Sequence, residues 1–400
     1  MNLVAALLKL DGINPNFGWR QTPSLPNFDW RQTPPLALAA REGHSAIVEL
    51  LLAMINIDPN IRDKRDATPL LYAINGKHTS IVRQLLARDD IDLNTVGIVE
   101  WEGTVTPLLA ARGTATPLLA AIESRNMEVI NLLLSKDSID VNFCPQSNMT
   151  PLLMAIRHGP MEVVESLFAR DDVDLNVVDY DGNHVLLESM GLGLDKVKLI
   201  LDRSNVDPNI VSPTGRTAIM IACSMEKGDL DLIEFFLHQG IDINRQDAGG
   251  RTAFCWAVNS GCSKVVKLLL DRDDMDPNLP DARGHTPLFY CISPFSSGLR
   301  RSSDMDIMDL LLRKEGIDVN ARDIGGSTAL AFACALPWPD RAFDYAGLLL
   351  SHGTDPNILD NNGVSALSEV IYRRTHICGT KAYSQNLQKL ESLLRAAGAR

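Results

Sequence analysis

Apolar residues fall along this chain in short paired clusters separated by polar punctuation, and residues 150–176 show one full cycle without interruption. Thr150 is placed to accept backbone N–H groups as a helix cap, and Pro151 follows at the first helical position, where its missing donor costs nothing. The pattern predicts a short helix from there to about His158. Gly159-Pro160 breaks it, and a second helix, Met161 to Ala169, carries Val163, Val164, Leu167 and Phe168 on one face. Arg170-Asp171-Asp172 ends that helix, and Val173-Asp174-Leu175-Asn176 leaves it as an extended arm.

The cycle repeats. An apolar residue followed by Asp-x-Asn ends the units at Asn60, Asn94, Asn142, Asn176, Asn209, Asn244, Asn278, Asn320 and, less well, Asn357. Where no insertion intervenes, these asparagines lie 33 to 35 residues apart. A unit of that size cannot bury its own apolar face and must lean on its neighbours, so the period predicts a stacked repeat protein. The Thr150 column holds Pro34, Thr68, Thr116, His184, Thr217, Thr252, Thr286, Thr328 and Ser365 in the other units, ten units in all. Five positions on, Ala39, Ala73, Ala121, Ala155, Ser189, Ala222, Ala257, Cys291 and Ala333 are small, which implies close approach of helices; Val370 stands there in the last unit. Three residues after most repeat asparagines comes an aspartate, and six after comes Asp66, Asn148 or a glycine. Those types tolerate a left-handed backbone, so each arm is expected to fold back as a tight hairpin turn.

Thr68-Pro69-Leu70, Thr116-Pro117-Leu118, Thr150-Pro151-Leu152, Thr286-Pro287-Leu288, Gly43-His44 with Ile47-Val48-Glu49-Leu50-Leu51-Leu52, and the terminal Gly398-Ala399 resemble the ankyrin repeat family across essentially the whole chain. The resemblance implies an all-α solenoid of stacked helix-turn-helix units with short β-hairpin-like fingers. One departure is uniform. The family's His after Thr-Pro-Leu is replaced by Ala37, Leu71, Leu119, Leu153, Leu187, Met220, Cys255, Phe289, Ala331 and Ser368, so mostly apolar packing must substitute for its polar contacts.

The expected organisation is an N-terminal half repeat at 1–16, a repeat array at 17–364 and a C-terminal capping repeat at 365–400, whose outer helix is read as Leu387 to Ala397. The half repeat is either a makeshift cap or the continuation of a longer array. Two tandem duplications, Pro15–Leu25 copied into Pro26–Leu36 and Gly103–Arg112 copied into Gly113–Ile122, are expected to extrude elongated fingers at about 17–33 and 95–115. Their Trp19, Trp30 and Trp101 are either contact residues or passengers of sequence slippage that a loop tolerates. Residues of about 293–304, 335–342 and 373–386 lengthen the connection between first and second helices in the last three units.

Composition narrows function more than fold. A net charge of -12 argues against a nucleic-acid footprint and favours a basic partner. The seven cysteines lack C-x-x-C spacing and mostly fall in helical stretches, which points to an intracellular compartment, cytoplasmic or nuclear; no stretch is long and apolar enough for a membrane span. Gly191-Leu192-Gly193 lacks a third glycine and follows a helix, and no metal or nucleophile constellation emerges, so no cofactor, no metal and no enzyme activity is expected. The resemblance implies a monomeric, non-catalytic module for protein–protein interaction, with the recognition portion of a larger regulatory or enzymatic protein as the alternative. By position, the hairpin residues Asp63, Lys64, Arg65, Tyr180, Asp181, Asp281, Arg283, Arg322 and Asp360, with the three finger tryptophans, are the candidate partner contacts.

Overall fold

A computed structural model describes residues 15–16, 33–98, 114–145, 149–179, 181–204, 206–225, 229–292, 303–376 and 381–400. The chain divides into two compact units, Met1–Ser189 and Met190–Arg400, with the division falling inside one repeat rather than at a linker.

The first unit contains helices α1 (Pro35–Arg41), α2 (Ser45–Leu52), α3 (Pro69–Asn75), α4 (Thr79–Leu86), α5 (Pro117–Glu123), α6 (Met127–Leu134), α7 (Pro151–His158), α8 (Met161–Phe168) and α9 (Val185–Glu188). The first helices α1, α3, α5, α7 and α9 pack in one row, and the second helices α2, α4, α6 and α8 in another. The second unit holds α10 (Leu194–Ser204), α11 (Ala218–Ser224), α12 (Leu230–Leu237), α13 (Ala253–Ser260), α14 (Ser263–Leu270), α15 (Pro287–Ile292), α16 (Ser303–Leu312), α17 (Ala329–Cys334), α18 (Pro339–Ser351), α19 (Ala366–His376) and α20 (Lys381–Ala396). Here α11, α13, α15, α17 and α19 form the first row, while α14, α16, α18 and α20 stack behind. Every member of the small-residue column is buried, Ala73, Ala121, Ala222, Ala257 and Ala333 completely, because the rows meet there. The replacements for the family His are buried as well from Ala37 through Phe289, whereas Ser368 is exposed and donates its effort locally: its hydroxyl accepts the Ser365 N–H at 2.7 Å.

Most units begin with a working cap; Pro34 has none to offer and the Thr286 hydroxyl makes no such bond. The hydroxyls of Thr68, Thr116, Thr150, Thr217, Thr252 and Thr328 accept the N–H three residues on, satisfying one of the donors a helix start leaves open. His184 takes the same place with its ring: Nδ1 accepts the Leu186 N–H at 3.0 Å.

The period itself has a chemical basis in the arms. Asn60 donates its side-chain N–H to the Asp90 carbonyl (2.7 Å) and accepts the Asp92 N–H (2.7 Å), tying one arm to the next. Asn94 does the same to Ser138 and Asp140, Asn142 to Asp172 and Asp174, Asn244 to Asp274 and Asp276, and Asn278 to Gly316 and Asp318. The aspartate two residues before each asparagine accepts that asparagine's own N–H, fixing the amide's aim. A second cross-repeat tie caps the second helices: Arg88 donates to the Leu52 carbonyl, Arg170 to Leu134 and Lys314 to Leu270.

Between arm and next helix the chain turns sharply. Asp63, Asp247 and Asp281 accept two backbone N–H groups each from their own turn, and the residue at the corner is left-handed, Asp66 at φ 59° and Gly250 at φ 77°. Gly250 is demanded twice, since a side chain there would also meet the Ala282 nitrogen of the next turn at 2.5 Å. Of the 95–115 finger, the base is described: Gly97–Ile98 (β1) pairs antiparallel with Thr114–Ala115 (β2), Gly97 opposite Ala115. Residues 99–113 of that expected finger and all but Thr33 of the one at 17–33 lie outside the described residues, as does nearly all of the expected half repeat at 1–16.

Two expectations are corrected. The cap helix starts at Lys381, not Leu387, and the 373–386 connection is largely absorbed into α19 and α20, because 381–386 contains no Gly or Pro to stop a helix. Likewise the 335–342 insertion goes partly into α18, which begins at Pro339 and runs for 13 residues.

Asn244→Ala removes both ties to the following arm and is expected to cost about 1–3 kcal/mol, read as a fall in the urea midpoint at unchanged slope. His184 supplies an acidic test. Burial, opposed by the Asp174 charge, lowers its pKa below the ordinary value of 6.5. The unfolded chain then binds the proton first, so stability is full above about pH 6.5 and falls as pH drops towards the lower folded value. His184→Thr is expected to remove that part of the pH dependence in denaturation midpoints measured from pH 7.5 to 5.

Candidate functional site

The hairpin turns and first helices share one side of each repeat, and in the second unit that side carries a cleft of about 490 Å³. Its lining comes from two consecutive repeats: Gly249, Arg251, Cys255, Trp256 and Asn259 from one, Asp281, Ala282, Arg283 and Tyr290 from the next. The turns bring these together because neighbouring tips are stitched by backbone hydrogen bonds, Ala248 N–H to the Thr214 carbonyl and Ala282 N–H to Gly249, both 2.9 Å.

Trp256 and Tyr290 occupy the same repeat position, four residues after the capping threonine. Each spends its polar atom on the aspartate of its own turn: the Trp256 indole N–H donates to Asp247 (3.1 Å) and the Tyr290 hydroxyl to Asp281 (2.8 Å). Tyr72 does the same to Asp63 at 2.6 Å in the first unit. Burial, then this hydrogen bond to a carboxylate, pushes the Tyr72 and Tyr290 phenols up, so both stay protonated donors. The ring plane is thereby fixed. Arg216 and Arg251 both place their guanidinium groups over the Trp256 ring, at 4.2 and 4.1 Å from its centre. Arg251 is held by the Asp247 carboxylate, and Arg216 donates to the Ser224 hydroxyl at 2.7 Å.

The first unit builds a different group on the same side. Arg157 pairs with both Asp179 and Glu188, the latter through two bonds of 2.8 Å, and all three are largely buried. That triad closes on itself, which suits a brace between repeats rather than a site for an outside molecule.

Of the twelve positions the sequence singles out, Asp281 and Arg283 fall in the cleft. Asp63 is buried and occupied by its turn and by Tyr72. Arg322 bridges the Gly326 and Leu359 carbonyls, and Asp360 accepts the Asn362 and Val364 N–H groups, the latter bond leading in holding its carboxyl below the usual range. Lys64 and Asp181 are exposed and Arg65 half-buried on the first unit's hairpins. Trp19, Trp30, Trp101 and Tyr180 lie outside the described residues. The sequence reading passed over Trp256, Tyr290, Arg216 and Arg251. The signal for two of them was an aromatic residue nine positions after a turn aspartate, at Asp247 and Asp281 as at Asp63. Among the described residues, no helix is long and apolar enough to cross a membrane and no three His, Cys, Asp or Glu side chains could hold a metal ion together.

A family model for ankyrin repeats (three copies) matches residues 2–97, 99–179, 185–281 and 224–323, and the chain belongs to the ankyrin repeat family. Over 179 residues the chain is 32% identical to neurogenic locus notch homolog protein 1 of Mus musculus, a match covering 42% of this chain and 7% of that protein. The Danio rerio counterpart is 29% identical over 180 residues, with 42% and 7% covered. The chain thus spans a small fraction of the curated relatives it matches. Among solved structures, the ankyrin repeat domain of Bcl-3 is similar at a TM-score of 0.46 and 23% identity, covering 62% of this chain and 98% of that one. Ankyrin repeats are generally protein–protein interaction modules, and no catalytic family is indicated.

Tyr290→Phe leaves the ring in place and removes the donor to Asp281. A loss of about 1–2 kcal/mol is expected from the unpaired carboxylate oxygen, measured by chemical denaturation beside the parent chain.

Proposed function

We propose that this chain is a non-catalytic module that holds a protein partner along the side formed by its hairpins and first helices, inside the cell. What carries the reading is how that side divides its labour. The capping threonines, turn aspartates and left-handed glycines recur because the fold needs them, whereas the position of Trp256 changes freely, to Leu38, Tyr72, Ala120, Met154, Glu188, Ile221, Tyr290, Phe332 and Glu369 in other units. A regular scaffold bearing one irregular column of side chains suits recognition of another chain, and aromatic residues with arginines at a cleft are the usual anchors of such contacts. The family's general role supports the same reading.

A second reading, that the array is the recognition portion of a larger protein, draws support from the length of its Notch relatives, of which the match takes in 7%. An immunoblot of source cells showing no species above the size of a 400-residue chain would count against it.

The binding side can be tested by photo-crosslinking. Benzoylphenylalanine in place of Asn259, in the cleft, is expected to give discrete protein adducts in source cells, while the same group in place of exposed Lys264 on α14 gives none. Adducts from neither position, or equally from both, would overturn the assignment.

A further inference from the structure

We infer that the cleft side of the second unit recognises an acidic, extended peptide segment, one of whose carboxylates seats among Arg216, Arg251 and Arg283 against the Trp256 ring. The inference rests on the protein-binding reading above and narrows its partner.

Charge on this chain is segregated. The whole sequence has 38 Lys and Arg against 50 Asp and Glu. On the hairpin side of the second unit the balance reverses. The turns 209–217, 244–252, 278–286, 320–328 and 357–365 contain the five arginines Arg216, Arg245, Arg251, Arg283 and Arg322 against the four aspartates Asp247, Asp281, Asp323 and Asp360, and helices α11, α13, α15 and α17 contain no charged residue. Asp247 and Asp281 also point inward. The Asp247 side chain has 0% exposure and Asp281 8%, and each directs its oxygens at turn N–H groups and at an aromatic donor. Arg283, by contrast, is exposed at the cleft mouth. Acidic residues gather instead on the second helices and arms, for example Asp229, Asp231 and Glu234 at α12 and Asp306 and Asp309 on α16.

Arg216 is incompletely satisfied. Arg216 and Arg251 crowd one indole, and the Nε–H of Arg216 is buried with no acceptor among the described residues. Burial first, and the like charge of Arg251 second, lower the Arg216 pKa, so this cation sits at a cost within the chain. An incoming carboxylate in the cleft would accept from Arg251 and Arg283 and, beside Arg216, screen the two guanidinium groups over the indole from one another, with the planar fork geometry that arginine offers to carboxylates. The remaining lining, Trp256, Tyr290 and Asn259, gives an apolar and hydrogen-bonding floor for the adjoining peptide backbone. A polynucleotide fits less well, since a long polyanion would also meet the negative bulk of a chain of net charge -12.

The test is selection of a random 16-residue phage-displayed peptide library on the immobilised full chain, repeated on Arg283→Glu and on Arg216→Gln, each checked for an unchanged circular-dichroism melt. A chain variant that melts early is replaced by Arg283→Ala, whose side chain is exposed. The expected result is enrichment of peptides rich in Asp and Glu, whose synthetic versions lose at least tenfold in affinity on either variant and weaken as salt rises from 50 to 300 mM. Enrichment of neutral or basic peptides, equal binding to parent and variants, no enrichment, or tighter retention of a fluorescent single-stranded RNA than of any selected peptide would each overturn it. Adducts from position 259 together with any of those results would sink the acidic partner while leaving the binding side intact.

Discussion

The side-chain amide of the repeat asparagine is the contact on which the stacking most depends. It donates to one backbone group of the following arm and accepts from another two residues on, as Asn142 does at Asp172 and Asp174. Both bonds form together only when the next repeat arrives at the same height and orientation, so the amide acts as a gauge of register as well as an adhesive. Its own aim is set by the preceding aspartate. Apolar burial between the helix rows supplies most of the drive to stack, but such burial is non-directional, and the amide bonds convert it into a fixed pitch.

With register fixed, the turns become rigid platforms. The turn aspartates Asp63, Asp247 and Asp281 are saturated from within by N–H groups two and four residues on and by a donor from the first helix, Tyr72, Trp256 or Tyr290. The carboxylate charge is therefore internal business of the fold, and the outward electrostatics are left to arginines such as Arg283. Backbone bonds between successive tips, Ala282 to Gly249 and Ile324 to Arg283, join the platforms into a continuous edge within the second unit.

Much of this was legible in the residues, and the physical reasons for success and failure are distinct. Thr150-Pro151, the left-handed glycines and the Asp-x-Asn arms are local chemistry, decided within a few residues of themselves, and they appear in the structure where the sequence puts them. The start of α20 was not, since a helix without a Gly or Pro barrier extends until packing ends it, and α18 begins at Pro339, at the first helical position where proline costs nothing, and runs through Gly347. The cleft escaped for a similar reason. Arg216 and Arg251 lie 35 residues apart and meet over Trp256 only through the stack. Candidates chosen as hairpin tips overlooked that an aspartate at a tip can be fully engaged by its own turn and by the following helix, as Asp63 is, whereas Trp256, one turn into the helix, lines the cleft.

The short ladder between Gly97–Ile98 and Thr114–Ala115 has an implication for protein engineering. Its paired strands hold the two ends of the intervening segment at adjacent-strand distance, about 5 Å, and Gly97 lies so close to Ala67 that nothing larger fits beneath it. Positions 98 and 114 are thus clamped together independently of what lies between them. An unrelated cargo with neighbouring termini could be spliced between positions 98 and 114, carried by the repeats as a tool carried in a socket.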